Sequence, residues 1–92
     1  MNHKEAMAAV LSVLQDVQTL SGHTWESVGP GAKPIGALDG FDSLCGIEAT
    51  VILEERLDCS FGGASAFVSP DGKRALSVSQ IADAVMARGN AR

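Results

Sequence analysis

Asp39-Gly40-Phe41-Asp42-Ser43-Leu44-Cys45-Gly46-Ile47-Glu48, continuing to Asp58, begins as a glycine-bearing loop and becomes a helix. Asp39 and Asp42 both suit a helix start, because a short oxygen-bearing side chain accepts a hydrogen bond from an unpaired first-turn amide. Ser43 therefore falls at, or next to, a helix N-terminus. The amides there lack intrahelical partners and the helix dipole is positive, so both effects would favour a phosphate on the Ser43 hydroxyl. A serine in this position is also a common plain cap.

On a helical wheel Ile47, Thr50, Leu53 and Leu57 share one side, and they are the expected core-facing set. Leu44, Glu48, Val51 and Glu55 form a second stripe that alternates apolar and acidic residues. That stripe is either the edge of a wide amphipathic helix or a docking stripe for partners bearing basic and apolar groups. Charge placement favours docking. Residues 42–58 hold five acids and one base, a net of −4, which is also the net charge of the whole chain. Outside this segment acids and bases balance, six against six. Such a localised acidic field steers encounter with a basic protein surface and argues against nucleic acid as ligand.

Gly40-x-Asp42-Ser43-Leu44, with Ile47-Glu48 after it and then Leu53-Glu54-Glu55-Arg56-Leu57-Asp58, resembles the carrier-serine motif and second helix of acyl carrier proteins. The close match covers residues 39–61; the rest resembles the family only in helix layout. The resemblance implies an all-α, small four-helix bundle, with three main helices, a short or irregular third helix and a long first loop. It implies a 4'-phosphopantetheine arm on Ser43, with Asp42 helping a transferase position its metal or the serine. Cargo would be held on the arm as a thioester and shuttled between enzymes of fatty-acid, polyketide or related lipid biosynthesis. The implied partners are a phosphopantetheinyl transferase and acyl-loading and acyl-processing enzymes with basic docking surfaces, contacted through Leu44, Glu48, Val51 and Glu55. Aminoacyl and peptidyl carriers share the serine motif. The competing class is a non-carrying helical interaction module in which Ser43 only caps.

The chain has 92 residues, which predicts one domain, 1–92, with a modest core. Aromatic residues are few, one Trp and three Phe, so the core is aliphatic, which suits helices better than a sandwich of strands. No apolar run approaches the roughly 18 residues of a membrane span. The N-terminus lacks the features of a signal peptide, and the expectation is a cytoplasmic, monomeric protein with no membrane insertion. Cys45 and Cys59 stand at opposite ends of the central helix, beyond disulfide reach, and their spacing matches no zinc pattern.

Lys4 to Leu20 reads as the first helix, with Met7, Val10, Leu14 and Val17 as its apolar stripe and Val13 and Leu20 widening it. Ser21-Gly22 ends it. His23 to Leu38 reads as a long loop without a regular element, pinned by Trp25, Val28, Ile35 and Leu38. Trp25 is alternatively an exposed partner contact. Beyond Asp58, Phe61, Phe67 and Val68 are the expected anchors, Ala64 to Val68 is a candidate single helical turn, and Ser69-Pro70-Asp71-Gly72 is a turn. The last helix opens at Ser77 with Gln80 in a capping box, buries Val78, Ile81, Ala82 and Val85, and stops at Gly89-Asn90 before a frayed tail.

A catalytic serine needs a general base and an oxyanion hole. His3 and His23, the only histidines, are distant from Ser43 in sequence, and no strand-to-helix elbow precedes it. Ser43 therefore reads as a modification site on a protein that is not itself an enzyme. Gly46 stands out, because a mid-helix glycine costs roughly 1 kcal/mol against alanine. It either lets the arm or a partner approach the backbone or has no such role.

Overall fold

The computed structural model describes residues 2–25, 27–38 and 40–90. Asp39, one of the two expected helix starters, and the tail at 91–92 lie outside the described residues. Asn2 accepts the Glu5 amide at 2.8 Å, and the Glu5 carboxylate accepts the Asn2 amide at 3.3 Å. This capping box starts α1 (His3–Leu20) one residue ahead of the expected Lys4. The helix ends as its sequence predicts. Gly22 adopts φ +82°, its amide donates to Thr19 O at 3.1 Å, and the His23 amide donates to Gln18 O at 2.8 Å. Those two bonds form a Schellman closure, which needs a left-handed residue at the turn.

Val10, Val13, Leu14 and Val17 are buried and Met7 is half-buried. Leu20 is 84% exposed, so it does not widen the core stripe. It sits on the last turn, where no other element covers it.

The long first loop contains the one-turn α2 (Pro34–Ala37), which the density of proline and glycine had argued against. Pro34 occupies N1, where its fixed φ suits a helix and its missing N–H costs nothing. The Ala37 and Leu38 amides close the turn on Lys33 O and Pro34 O, each at 3.1 Å. Ile35 and Gly36 depart from helical geometry, with Gly36 at φ +105°, so the helix goes no further. Trp25, Val28, Ile35 and Leu38 all pack against the core as anchors of the loop.

Asp42 is the N-cap of α3 (Ser43–Leu57), and Asp58 ends the helix in a left-handed conformation at φ 51°. Ser77 and Gln80 form the expected capping box at the start of α4 (Val78–Asn90), with bonds of 2.9 and 3.2 Å. The first loop completes that cap: Ala32 O accepts the Val78 amide and Pro30 O the Ser79 amide, both at 2.9 Å. Val78, Ile81, Ala82 and Val85 are buried as expected. The helix runs through Gly89 and ends at Asn90, the last described residue.

Residues 59–77 contain no helix, and the expected turn at 64–68 does not form. Gly62 and Gly63 have φ +63° and +87°. Ala66 donates to Thr50 Oγ1 at 2.9 Å and Phe67 to Ser65 Oγ at 3.1 Å. The chain instead forms an isolated antiparallel bridge, Val68 to Ala75, closed by the Ser69–Gly72 turn with a Gly72-to-Ser69 bond of 2.8 Å.

The described residues thus form a small all-helical bundle of four helices, one of them a single turn, with no strand. α1 is its spine and packs against both α3 and α4. Phe67, fully buried, meets Phe41 with ring centroids 5.4 Å apart. An Arg56–Asp16 ion pair ties α3 to α1 at the surface. No helix among the described residues is long and apolar enough to cross a membrane.

Candidate functional site

Ser43 is the first residue of α3 and is exposed. The residue before it, Asp42, is extended at φ −111° and turns its carboxylate back to accept the Cys45 amide at 3.0 Å. That bond holds the Asp42 carboxyl below the usual carboxylate range, with a smaller contribution from the neighbouring amides. The Asp42 carbonyl accepts the Gly46 amide at 3.0 Å, so the first turn is fully formed beneath the serine. The Cys45 thiol, half-buried, lies 3.5 Å from Gly40 O.

The loop entering this turn is braced from the far end of α1. A Cβ on Gly40 would lie 2.5 Å from His23 Nε2, and Gly40 has φ +69°, so only glycine fits. The fold therefore brings His23 against the loop that presents Ser43, although the two are twenty positions apart. His3 goes elsewhere. Its Nε2 lies 3.2 Å from Asp83 Oδ1 and 3.3 Å from Ser79 Oγ, on α4. Histidine, aspartate and serine meet here, but both partners use one ring nitrogen. A triad needs acid and nucleophile on opposite nitrogens, so this cluster ties α1 to α4 and is not a hydrolytic site.

The buried face of α3 differs from the one expected. Gly46, Ala49, Thr50 and Leu53 are buried, Leu57 is half-buried, and Ile47 is 48% exposed. The reason is the backbone approach at Gly46. A Cβ there would lie 3.3 Å from Ser65 Oγ and from Ile35 Cδ1, and 3.4 Å from Phe67 Cβ. Gly46 therefore faces the 65–67 segment with Ala49 buried one turn on, and about 100° per residue then carries Ile47 out of the core. Gly46 serves internal packing against Ile35, Ser65 and Phe67.

Ile47 joins Leu44 (64% exposed) and Val51 (49%) in one apolar strip, bordered by the exposed Glu48 and Glu55. Leu44, Glu48, Val51 and Glu55 all lie on the outer face, as does Asp42 beside Ser43. Ile47 is the residue that sequence reasoning misplaced; the pair of small residues flanking it, Gly46 and Ala49, was the available signal.

Residues 59–77 and α4 enclose a half-open cavity of about 230 Å³, walled by Phe61, Ala66, Val68, Leu76 and Ala84, with Arg88 at its edge. Among the described residues no group of histidine, cysteine and carboxylate side chains is arranged to hold a metal ion. No protein-family model matches the chain, and no curated protein or solved structure matches it either.

Proposed function

We propose that this protein is an acyl carrier, with Ser43 the attachment point of a 4'-phosphopantetheine arm. The observation that carries this reading is the exposed Ser43 at the first position of α3, beside its capping Asp42 and at the head of a strip of Leu44, Ile47, Glu48, Val51 and Glu55. The site fits the group: the hydroxyl is open to a transferase, and the positive end of the helix dipole suits the phosphodiester that would remain.

In this reading Ser43 acts as acceptor and performs no catalysis of its own. A separate transferase supplies the base and Mg²⁺. The Ser43 oxygen, losing its proton to that base, attacks the pantetheine-side phosphorus of coenzyme A. The pyrophosphate linkage breaks and adenosine 3',5'-bisphosphate departs. Asp42 orders the turn and offers a carboxylate beside the reacting oxygen. When attached, the arm supplies a thiol that holds an acyl group as a thioester. The apolar strip and its glutamates dock enzymes with basic, apolar-centred surfaces. Exposed charges of this kind mainly raise on-rates, so docking is brief and salt-sensitive.

The same strip favours one competing reading, a helical module that binds a basic partner and carries nothing. Peptide mapping of the protein isolated from its own cells separates the two. A carrier shows the peptide containing Ser43 heavier by the phosphopantetheine group. An unmodified peptide, with partner binding retained in Ser43→Ala, identifies the module.

A further inference from the structure

The 230 Å³ cavity has a chemistry of its own. Its walls are apolar, from Phe61, Ala66, Val68, Leu76 and Ala84. Its edge carries one cation, Arg88, whose guanidinium carbon stands 5.6 Å from the centre of the Phe61 ring. Among the described residues Arg88 forms no ion pair; the two described pairs are His3–Asp83 and Arg56–Asp16. Glu54, on the Phe61 side, accepts the Phe61 amide at Oε2, 2.8 Å away. The cavity therefore offers a greasy slot ending in a guanidinium that stacks on an aromatic face and has no ion pair among the described residues.

One wall residue of the slot also packs against α3. Ser65, on its wall, touches the backbone of α3 at Gly46, where an added Cβ would be 3.3 Å from the Ser65 hydroxyl. Gly46 is one turn beyond Ser43.

We propose that this cavity accepts a short acyl chain ending in a carboxylate, the chain between Phe61 and Leu76 and the carboxylate on Arg88. Where the chain arrives on the arm, this rests on the carrier reading, and the cargo is then the half-thioester of a short dicarboxylic acid. A free monoester of the same acid has the same chemistry and needs no arm.

Two experiments keep these apart. Monomethyl adipate is titrated into unmodified Ser43→Ala protein, with amide shifts followed by NMR. Saturable shifts confined to Ala64–Val68 and Ala84 are expected at millimolar ligand, weaker for methyl hexanoate. Arg88→Gln should reduce affinity for the carboxylate ligand about three- to fivefold, leave the neutral ester unchanged, and be largely rescued by Arg88→Lys. No saturable shifts in these residues, or equal binding of both ligands, overturns the proposal whatever becomes of the carrier reading. In the second arm, phosphopantetheinylated protein is loaded with adipoyl or hexanoyl groups. Adipoyl should shift the same residues more, and its thioester should be cleaved more slowly by hydroxylamine. Failure of the protein to accept the arm defeats the carrier reading alone and assigns the cavity to the free ligand. Loading with identical shifts and cleavage rates for the two acyl groups overturns the tethered form.

Discussion

The Asp42 carboxylate accepts the Cys45 amide at 3.0 Å, which closes the first turn of α3 around Ser43. Because the hydrogen bond favours the ionised form, the folded Asp42 carboxyl titrates below its unfolded value. A depressed carboxyl stabilises the fold fully above the unfolded pKa, about pH 4, and that contribution is lost as pH falls through the folded value. Asp42→Asn keeps a neutral cap of similar quality. Melting temperatures of the two proteins should therefore differ at neutral pH in favour of the parent and converge in acid. Comparing the pair also removes the contribution of Asp71, which is depressed by Ser69 and the Lys73 amide and is common to both.

Thr50 is the clasp between α3 and the irregular 59–77 segment. Its hydroxyl donates to Gly46 O at 2.7 Å and accepts the Ala66 amide at 2.9 Å, inside the protein. Thr50→Val retains shape and leaves the Ala66 amide without its partner. The expected loss is about 1–3 kcal/mol in denaturant unfolding, with Thr50→Ser recovering most of it.

Gly46 sets a size limit. Alanine there gains about 1 kcal/mol of helix propensity and meets Ser65, Ile35 and Phe67 at 3.3–3.4 Å. Two of those contacts are side-chain ends able to shift, so Gly46→Ala should stay within about 1 kcal/mol of the parent. Gly46→Leu has no room to relax and should cost about 2 kcal/mol or more. Equal stability of all three would show that the 65–67 segment does not pack on α3.

The outer strip should separate stability from encounter. Glu48→Lys and Ile47→Ala change exposed side chains and should move stability by no more than about 0.5 kcal/mol. Glu48→Lys should slow association with a phosphopantetheinyl transferase, most clearly at low salt. A large loss of stability in Ile47→Ala would return that residue to the core.

The three long helices were legible because their signals are local: the glycine after Leu20, the carboxylate before Ser43 and the Ser77–Gln80 box each act within one turn. Asp42 was legible as a helix cap, and Leu44, Glu48, Val51 and Glu55 as a separate stripe by their spacing together with the acids gathered in 42–58. What spacing could not show was how close a neighbour comes. Ile47 looked like core from its spacing with Thr50, Leu53 and Leu57, yet the core side of α3 includes the small Gly46, packed against Ser65, nineteen positions away in sequence. The path of 64–68 is likewise held from a distance, since Thr50, sixteen positions earlier, accepts the Ala66 amide. The contact of His23 with Gly40 likewise depends on where α1 ends, which no motif around Ser43 contains.

The carrier account is tested most directly by intact-mass measurement after incubation with coenzyme A, Mg²⁺ and a broad-specificity phosphopantetheinyl transferase. The account predicts a single addition of phosphopantetheine to the parent protein and none to Ser43→Ala of equal stability. A parent protein that stays at its unmodified mass, beside a control carrier that is fully converted, would contradict it.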